Sequence, residues 1–142
     1  PTLAIEPANS QVVGNTLMFE LRQSFFFEAA HTLARQVAAE VESSRRIHGH
    51  TYIAEVTVCG SQLGSEGMLI DLSLLRQAIA RVRDKLDHHF LDEVEGIGPA
   101  TLENLCLYIH AQINAEVPGI SAVSVSRQAS GDRCTYRPTP RP

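Results

Sequence analysis

Hydrophobic and polar residues alternate over positions 17–27, with Leu17, Phe19, Leu21, Phe25 and Phe27 sharing one parity. A period of two is that of a β-strand with one buried face. A second run, Tyr52, Ala54, Val56 and Val58, repeats the pattern on even positions and predicts a second strand. After a turn-rich stretch over 60–67 the period changes. Leu72, Leu75, Ile79, Val82 and Leu86 recur at intervals of three and four, which predicts a helix packing one stripe, and Asp71 or Ser73 can cap its free amides. A second helix is predicted from about Thr101, with Leu102, Leu105, Ile109 and Ile113 on one face, ending before Pro118 and Gly119. Residues 121–127 and 133–137, separated by Ser130, Gly131 and Asp132, read as a strand hairpin. The order ββααββ predicts an α+β fold: a four-stranded antiparallel sheet with both helices on one face. Such a sheet leaves its other face and two edges open, and assembly into a homo-oligomer is the economical way to cover them. No repeat or interior linker divides residues 1–142, which read as a single domain, and only residues 1 to about 14 and the tail 138–142 read as loose ends.

The same parities place three imidazoles. His31 continues the odd-numbered face of the first strand, and His48 and His50 share the even phase of the second. If the two strands pair antiparallel, all three side chains meet at one end of a shared inner surface. Neutral imidazole is a good ligand for Zn²⁺, and three protein ligands with a fourth position left open is the pattern of a catalytic site. The bland alternative is that His48-Gly49-His50 is only a turn and His31 a satisfied core residue.

Composition narrows the partners. The formal net charge of −4 comes with no basic cluster, so a phosphate backbone would be repelled, which excludes nucleic acid. Cys59, Cys106 and Cys134 are odd in number and widely spaced, which supports neither a disulfide framework nor a Cys-x-x-Cys knuckle. The start of the chain lacks a basic region followed by an apolar run, and no stretch approaches membrane-spanning length. The expectation is a cytoplasmic chain acting on a small molecule, with no membrane partner.

Where the first helix should end, Asp87 precedes His88 and His89. A histidine oriented by a carboxylate can move protons near neutral pH. A helix C-terminus also favours histidine through its dipole, with no chemistry implied.

Taken together, Phe-x-Ala-Ala-His at 27–31, His-Gly-His-x-Tyr at 48–52, Gly-Met-x-x-Asp at 67–71, Leu-Asp-His-His-x-Leu at 86–91 and Thr-x-Glu-Asn at 101–104 resemble the 6-pyruvoyltetrahydropterin synthase family, which includes bacterial 6-carboxytetrahydropterin synthase. The match runs in order over about residues 17–137. The resemblance implies a tunnelling fold, in which subunits join their sheets into a β-barrel as a trimer or hexamer, with sites between subunits. It implies Zn²⁺ held by His31, His48 and His50, a proton relay formed by Asp87 and His88, and substrate contacts from Thr101 and Glu103. In such enzymes the zinc polarises the side chain of dihydroneopterin triphosphate while a cysteine and the Asp-His pair move protons and triphosphate is eliminated.

Two positions depart from that pattern. Bacterial members commonly carry a catalytic cysteine four residues before His-Gly-His, and Ser44 stands there in this chain. A hydroxyl is far less acidic than a thiol, so Ser44 would need a partner, and Glu42 is the nearby carboxylate that could act as base. Cys134, on the last strand, reads as structural. The second departure is Arg127, at the position where the family places a glutamate that anchors the pterin. A guanidinium has only donors, so if it points into the site it favours a carboxylate or phosphate. The reading is therefore a zinc-dependent lyase of this family with a changed, anionic substrate. Two alternatives stand beside it: an orthodox pterin lyase acting on dihydroneopterin triphosphate, in which Gln128 or a distant acid does the anchoring, and a zinc-binding oligomeric module without catalysis.

Overall fold

A computed structural model describes residues 18–139. Leu17, the N-terminal stretch expected to be loose, and the end of the C-terminal tail lie outside the described residues. Strands β1 (Phe19–His31) and β2 (His48–Gly60) form the long antiparallel pair that the alternation predicts. Phe27 lies opposite Tyr52, Ala29 opposite His50, and His31 opposite His48. The remaining elements are α1 (Ala38–Arg45), α2 (Leu72–Leu86), β3 (His89–Phe90), a single 3₁₀ turn (Leu91–Glu93), α3 (Leu102–Asn114), β4 (Ile120–Arg127) and β5 (Asp132–Tyr136).

The sheet has five strands in the order β3-β1-β2-β4-β5, not four. The extra strand pairs with β1 in parallel at Ala29 and Ala30, so the sheet is mixed rather than wholly antiparallel. Two residues are too short to leave a periodic trace in the sequence. Helix α1 is likewise absent from the ββααββ order. Its side chains are mostly exposed and only Ser44 is buried, so no apolar stripe announces it.

Helices α2 and α3 pack on one face of the sheet, as expected. The Asp71 carboxylate accepts from the Ser73 amide at 2.9 Å and starts α2; the Thr101 hydroxyl accepts from the Asn104 amide at 3.2 Å and starts α3. Their stripes, Leu75, Ile79, Val82 and Leu86, and Leu105, Ile109 and Ile113, enclose a core with Phe27, Tyr52, Ala54, Val56, Val123 and Val125 of the sheet. Leu105 is fully buried. Leu105→Ala should cost about 2–5 kcal/mol of unfolding free energy, the usual range for deleting a buried leucine side chain. A lowered denaturant midpoint at unchanged slope would report it.

The C-terminal end of α2 is tied to the outer edge of β1. Arg83 Nε donates to the Phe26 carbonyl at 2.7 Å, the Glu28 amide donates to Asp87 Oδ1 at 2.9 Å, and the His88 amide donates to the Glu28 carbonyl at 2.6 Å. These groups stand in for a strand along that part of the edge.

Candidate metal centre

His31 is the last residue of β1 and is 1% exposed. Its Nδ1 lies 2.8 Å from the Ala100 carbonyl and 3.3 Å from the Tyr52 hydroxyl. A carbonyl can only accept, so Nδ1 carries the proton and donates, which leaves the Nε2 lone pair free. His48 is oriented the same way by the Arg46 carbonyl, 2.8 Å from its Nδ1. With the two strands in register, the rings of His31, His48 and His50 have centroids 4.5 to 5.0 Å apart, and one ligand atom from each lies within 4.8 Å of the others.

His31 Nε2 and His50 Nε2 are buried without a hydrogen-bond partner among the described residues. A buried polar atom without a partner is costly, and a divalent cation between the rings would satisfy both at once. The donor set is therefore one that fits zinc. Burial holds both rings in the neutral form a metal requires. The His31 pKa is lowered by burial first, opposed by the Ala100 bond and reinforced by the charges of His48 and Arg127. His50 is lowered to about 4, by burial and then by His31, Arg127 and His48.

A pH dependence follows for the metal-free protein. A histidine titrates near 6.5 in the unfolded chain and His50 at about 4 in the fold, so the unfolded state binds more protons between those values. The stabilising contribution is complete above pH 6.5 and is lost as pH falls toward 4. Thermal unfolding of chelator-treated protein should show a falling midpoint across that window, and a flat profile would contradict the burial of these rings.

Two clefts adjoin the centre. One, of about 520 Å³, is lined by Glu28, Gly49, His50, Thr51, His88 and His89 among others. It brings His88, which is bonded to Asp87, to the same opening as His50 of the histidine trio. His88 Nδ1 lies 2.9 Å from Asp87 Oδ2, and Arg83 Nη2 lies 3.3 Å from the same oxygen. The Asp87 carboxyl is held below the usual carboxylate range, first by the Glu28 amide and then by His88. His88 adopts φ +58°, a left-handed conformation that is uncommon away from glycine, and this corner turns its exposed ring away from α2 into the cleft.

The other cleft, of about 1000 Å³, includes Thr32, Ala100, Thr101, Glu103, Arg127 and Asp132 in its lining. Thr101 and Glu103 thus sit together there, although the Thr101 hydroxyl is already committed to capping α3. Arg127 ends β4 with its guanidinium in the cleft wall. Its Nη2 donates to Asp132 Oδ2 at 2.9 Å, and its Nε is buried without a partner among the described residues.

Glu42 and Ser44 are not brought to the centre. Glu42 is exposed on α1 and lines neither cleft. Ser44 is buried, its hydroxyl donating to the Val41 carbonyl at 3.0 Å and accepting from the Arg35 amide at 3.3 Å. It joins α1 to the loop after His31. Cys134 lines the larger cleft, and its carbonyl lies 3.5 Å from Cys106 Sγ.

Two acids here escaped sequence reasoning. Asp92 accepts from the Thr32 amide at 3.0 Å and from the Thr32 hydroxyl, fixing the residue next to His31. Nothing in the sequence links positions 32 and 92. Asp132 faces Arg127 across the β4–β5 pair, and the predicted hairpin contained that pairing once its register was set.

Comparisons with known proteins agree with this fold. The model of the 6-pyruvoyl tetrahydropterin synthase family matches residues 20–139. A 6-carboxy-5,6,7,8-tetrahydropterin synthase of Synechocystis is 35% identical over 114 residues, covering 76% of this chain and 85% of the relative. A dihydroneopterin monophosphate aldolase of Pyrococcus furiosus is 32% identical over 93 residues, covering 66% of this chain and 73% of that protein. Among solved structures, a 6-pyruvoyl tetrahydropterin synthase of Caenorhabditis elegans superposes with a TM-score of 0.74 at 24% identity, covering 87% of this chain and 98% of that one.

Proposed function

Because this chain belongs to the 6-pyruvoyl tetrahydropterin synthase family, we propose that it is a zinc-dependent lyase of that family, acting on a small hydroxy or carbonyl compound with an anionic group. The observation that carries the reading is the convergence of His31, His48 and His50 with orphaned Nε2 atoms, next to a cleft whose wall holds a buried arginine. Bound zinc would supply Lewis acidity, polarising a hydroxyl or carbonyl oxygen.

The chain's own residues supply the rest. Ala100 and Arg46 fix the His31 and His48 tautomers. Asp87 holds the Nδ1 proton of His88, which leaves Nε2 to take a proton from carbon or oxygen and return it. With the Ser44 hydroxyl committed to backbone and Glu42 on the outer side of α1, the base role falls to the Asp87–His88 pair. A protein that only stored zinc would have little need of such a pair. Arg127 would hold the substrate's carboxylate or phosphate, and Thr101 and Glu103 lie in position to meet its remainder. Assembly of copies through open sheet edges into a barrel would complete each site.

One observation favours the orthodox pterin reading. Asp132 neutralises Arg127 and puts a carboxylate beside the position of the family's pterin anchor. Turnover of dihydroneopterin triphosphate by the zinc-loaded protein, followed by pterin fluorescence, separates the two. The altered-substrate reading expects little pterin release, and rapid release would replace it with the orthodox one.

A further inference from the structure

We propose that Asp132 is an internal competitor for an oxyanion site built on Arg127: in the free chain its carboxylate occupies the place that a ligand's carboxylate or phosphate takes on binding. The inference rests on the anionic-substrate reading and adds the residue that sets its affinity.

Arg127 and Asp132 are unequal partners. The Arg127 side chain is 8% exposed and that of Asp132 is 47% exposed. Arg127 also lies at the end of a strand buried on both sides by β2 and β5, so the cation is fixed in the wall while the acid stands at the lip. Releasing Asp132 returns to water a carboxylate that is already half hydrated, which costs little. Leaving Arg127 with no anion would strand a buried charge, which costs much more. Exchange of one oxyanion for another is the inexpensive route.

The exchange also has a reason to run forward. Nε and Nη2 lie on the same edge of a guanidinium and together form a two-pronged donor for a planar or tetrahedral oxyanion. Asp132 takes only the Nη2 prong, and Nε stays unpartnered. A ligand seated side-on would make both bonds and so one more charge-assisted bond than Asp132 makes. The acid can move because of where it stands. It opens β5, an edge strand, directly after the turn at Gly131, whose φ of +76° requires glycine there. Its second tether is light: the Ser130 hydroxyl donates to Asp132 Oδ2 at 2.8 Å, from within the same turn.

The test is calorimetric titration of the full zinc-loaded chain with inorganic phosphate and, separately, acetate. Asp132→Asn keeps the shape and removes the competing charge, and it should tighten binding of the preferred anion about tenfold, the scale of one charge-assisted hydrogen bond. Ser130→Ala, which removes the tether and a longer 3.4 Å contact to the Arg127 carbonyl while leaving both charges in place, should tighten it less, and this milder variant preserves the test if Asp132→Asn does not fold. Arg127→Gln should abolish the Arg127-dependent binding while zinc content stays unchanged. The two titrants show whether the preferred oxyanion is a phosphate or a carboxylate. If Arg127→Gln binds both anions as the parent does, the anionic-substrate reading fails. If Arg127→Gln loses binding but neither Asp132→Asn nor Ser130→Ala gains it, the competitor proposal alone fails.

Discussion

His31→Ala should leave a folded protein whose zinc affinity is lower by at least about a hundredfold, since losing even an outer partner of a zinc ligand costs 10- to 100-fold. Of the three ring donors, His31 is the most deeply buried and is held from behind by the Ala100 carbonyl and the Tyr52 hydroxyl. The other two rings come from the paired strand β2 and are already members of the trio, so the substitution leaves two ring donors in place of three. Zinc measured after dialysis against a competing chelator should fall from stoichiometric to background, and lyase turnover should go with it. Full retention of metal would mean that the ion sits elsewhere and that the trio is only a cluster of core histidines.

Asp87→Asn should separate chemistry from structure. The asparagine carbonyl can still accept from the Glu28 amide, so the clamp between α2 and β1 should survive. The amide nitrogen, however, donates to His88 Nδ1 where the carboxylate accepted from it, which reverses the ring tautomer and puts the proton on the nitrogen that must accept one. A lost general base is worth about 10²- to 10⁴-fold in rate. The expected result is that kcat falls by that factor while zinc content is unchanged and KM shifts little. Unchanged kcat would remove the pair from the mechanism and favour a binding module over an enzyme.

The four longer strands, both large helices and the convergence of the histidine trio were legible because each rests on a local pattern. Parity put His31 on the inner face of one strand and His48 and His50 on that of the other, and the observed antiparallel register, with His31 opposite His48, brings them to one surface. What stayed hidden has no period to show. Helix α1 is polar on most of its surface, and β3 exists through contact with Ala29 and Ala30 rather than through its own two residues. The roles of Ser44 and Thr101 turned on backbone partners, Val41, Arg35 and Asn104, that composition cannot reveal. Arg127 was legible as a charge reversal, but its pairing with Asp132 depended on hairpin register, and with it the question of whether the arginine is free or already answered.

The clamp formed by Arg83, Asp87 and His88 satisfies the rim of β1 only at Phe26 and Glu28. By the two-residue period of the ladder, the amides and carbonyls of Glu20, Arg22 and Ser24 face the same way, beyond the reach of the short strand β3. Among the described residues the peptide groups of Glu20 and Arg22 meet no partner on that side and the Ser24 carbonyl meets only the Gln23 side-chain amide, at 3.5 Å, so the stretch is a template on which another extended chain can grow. If copies assemble through this edge, a variant that blocks assembly at unchanged concentration leaves the rim bare, and such a molecule should aggregate more readily than its parent.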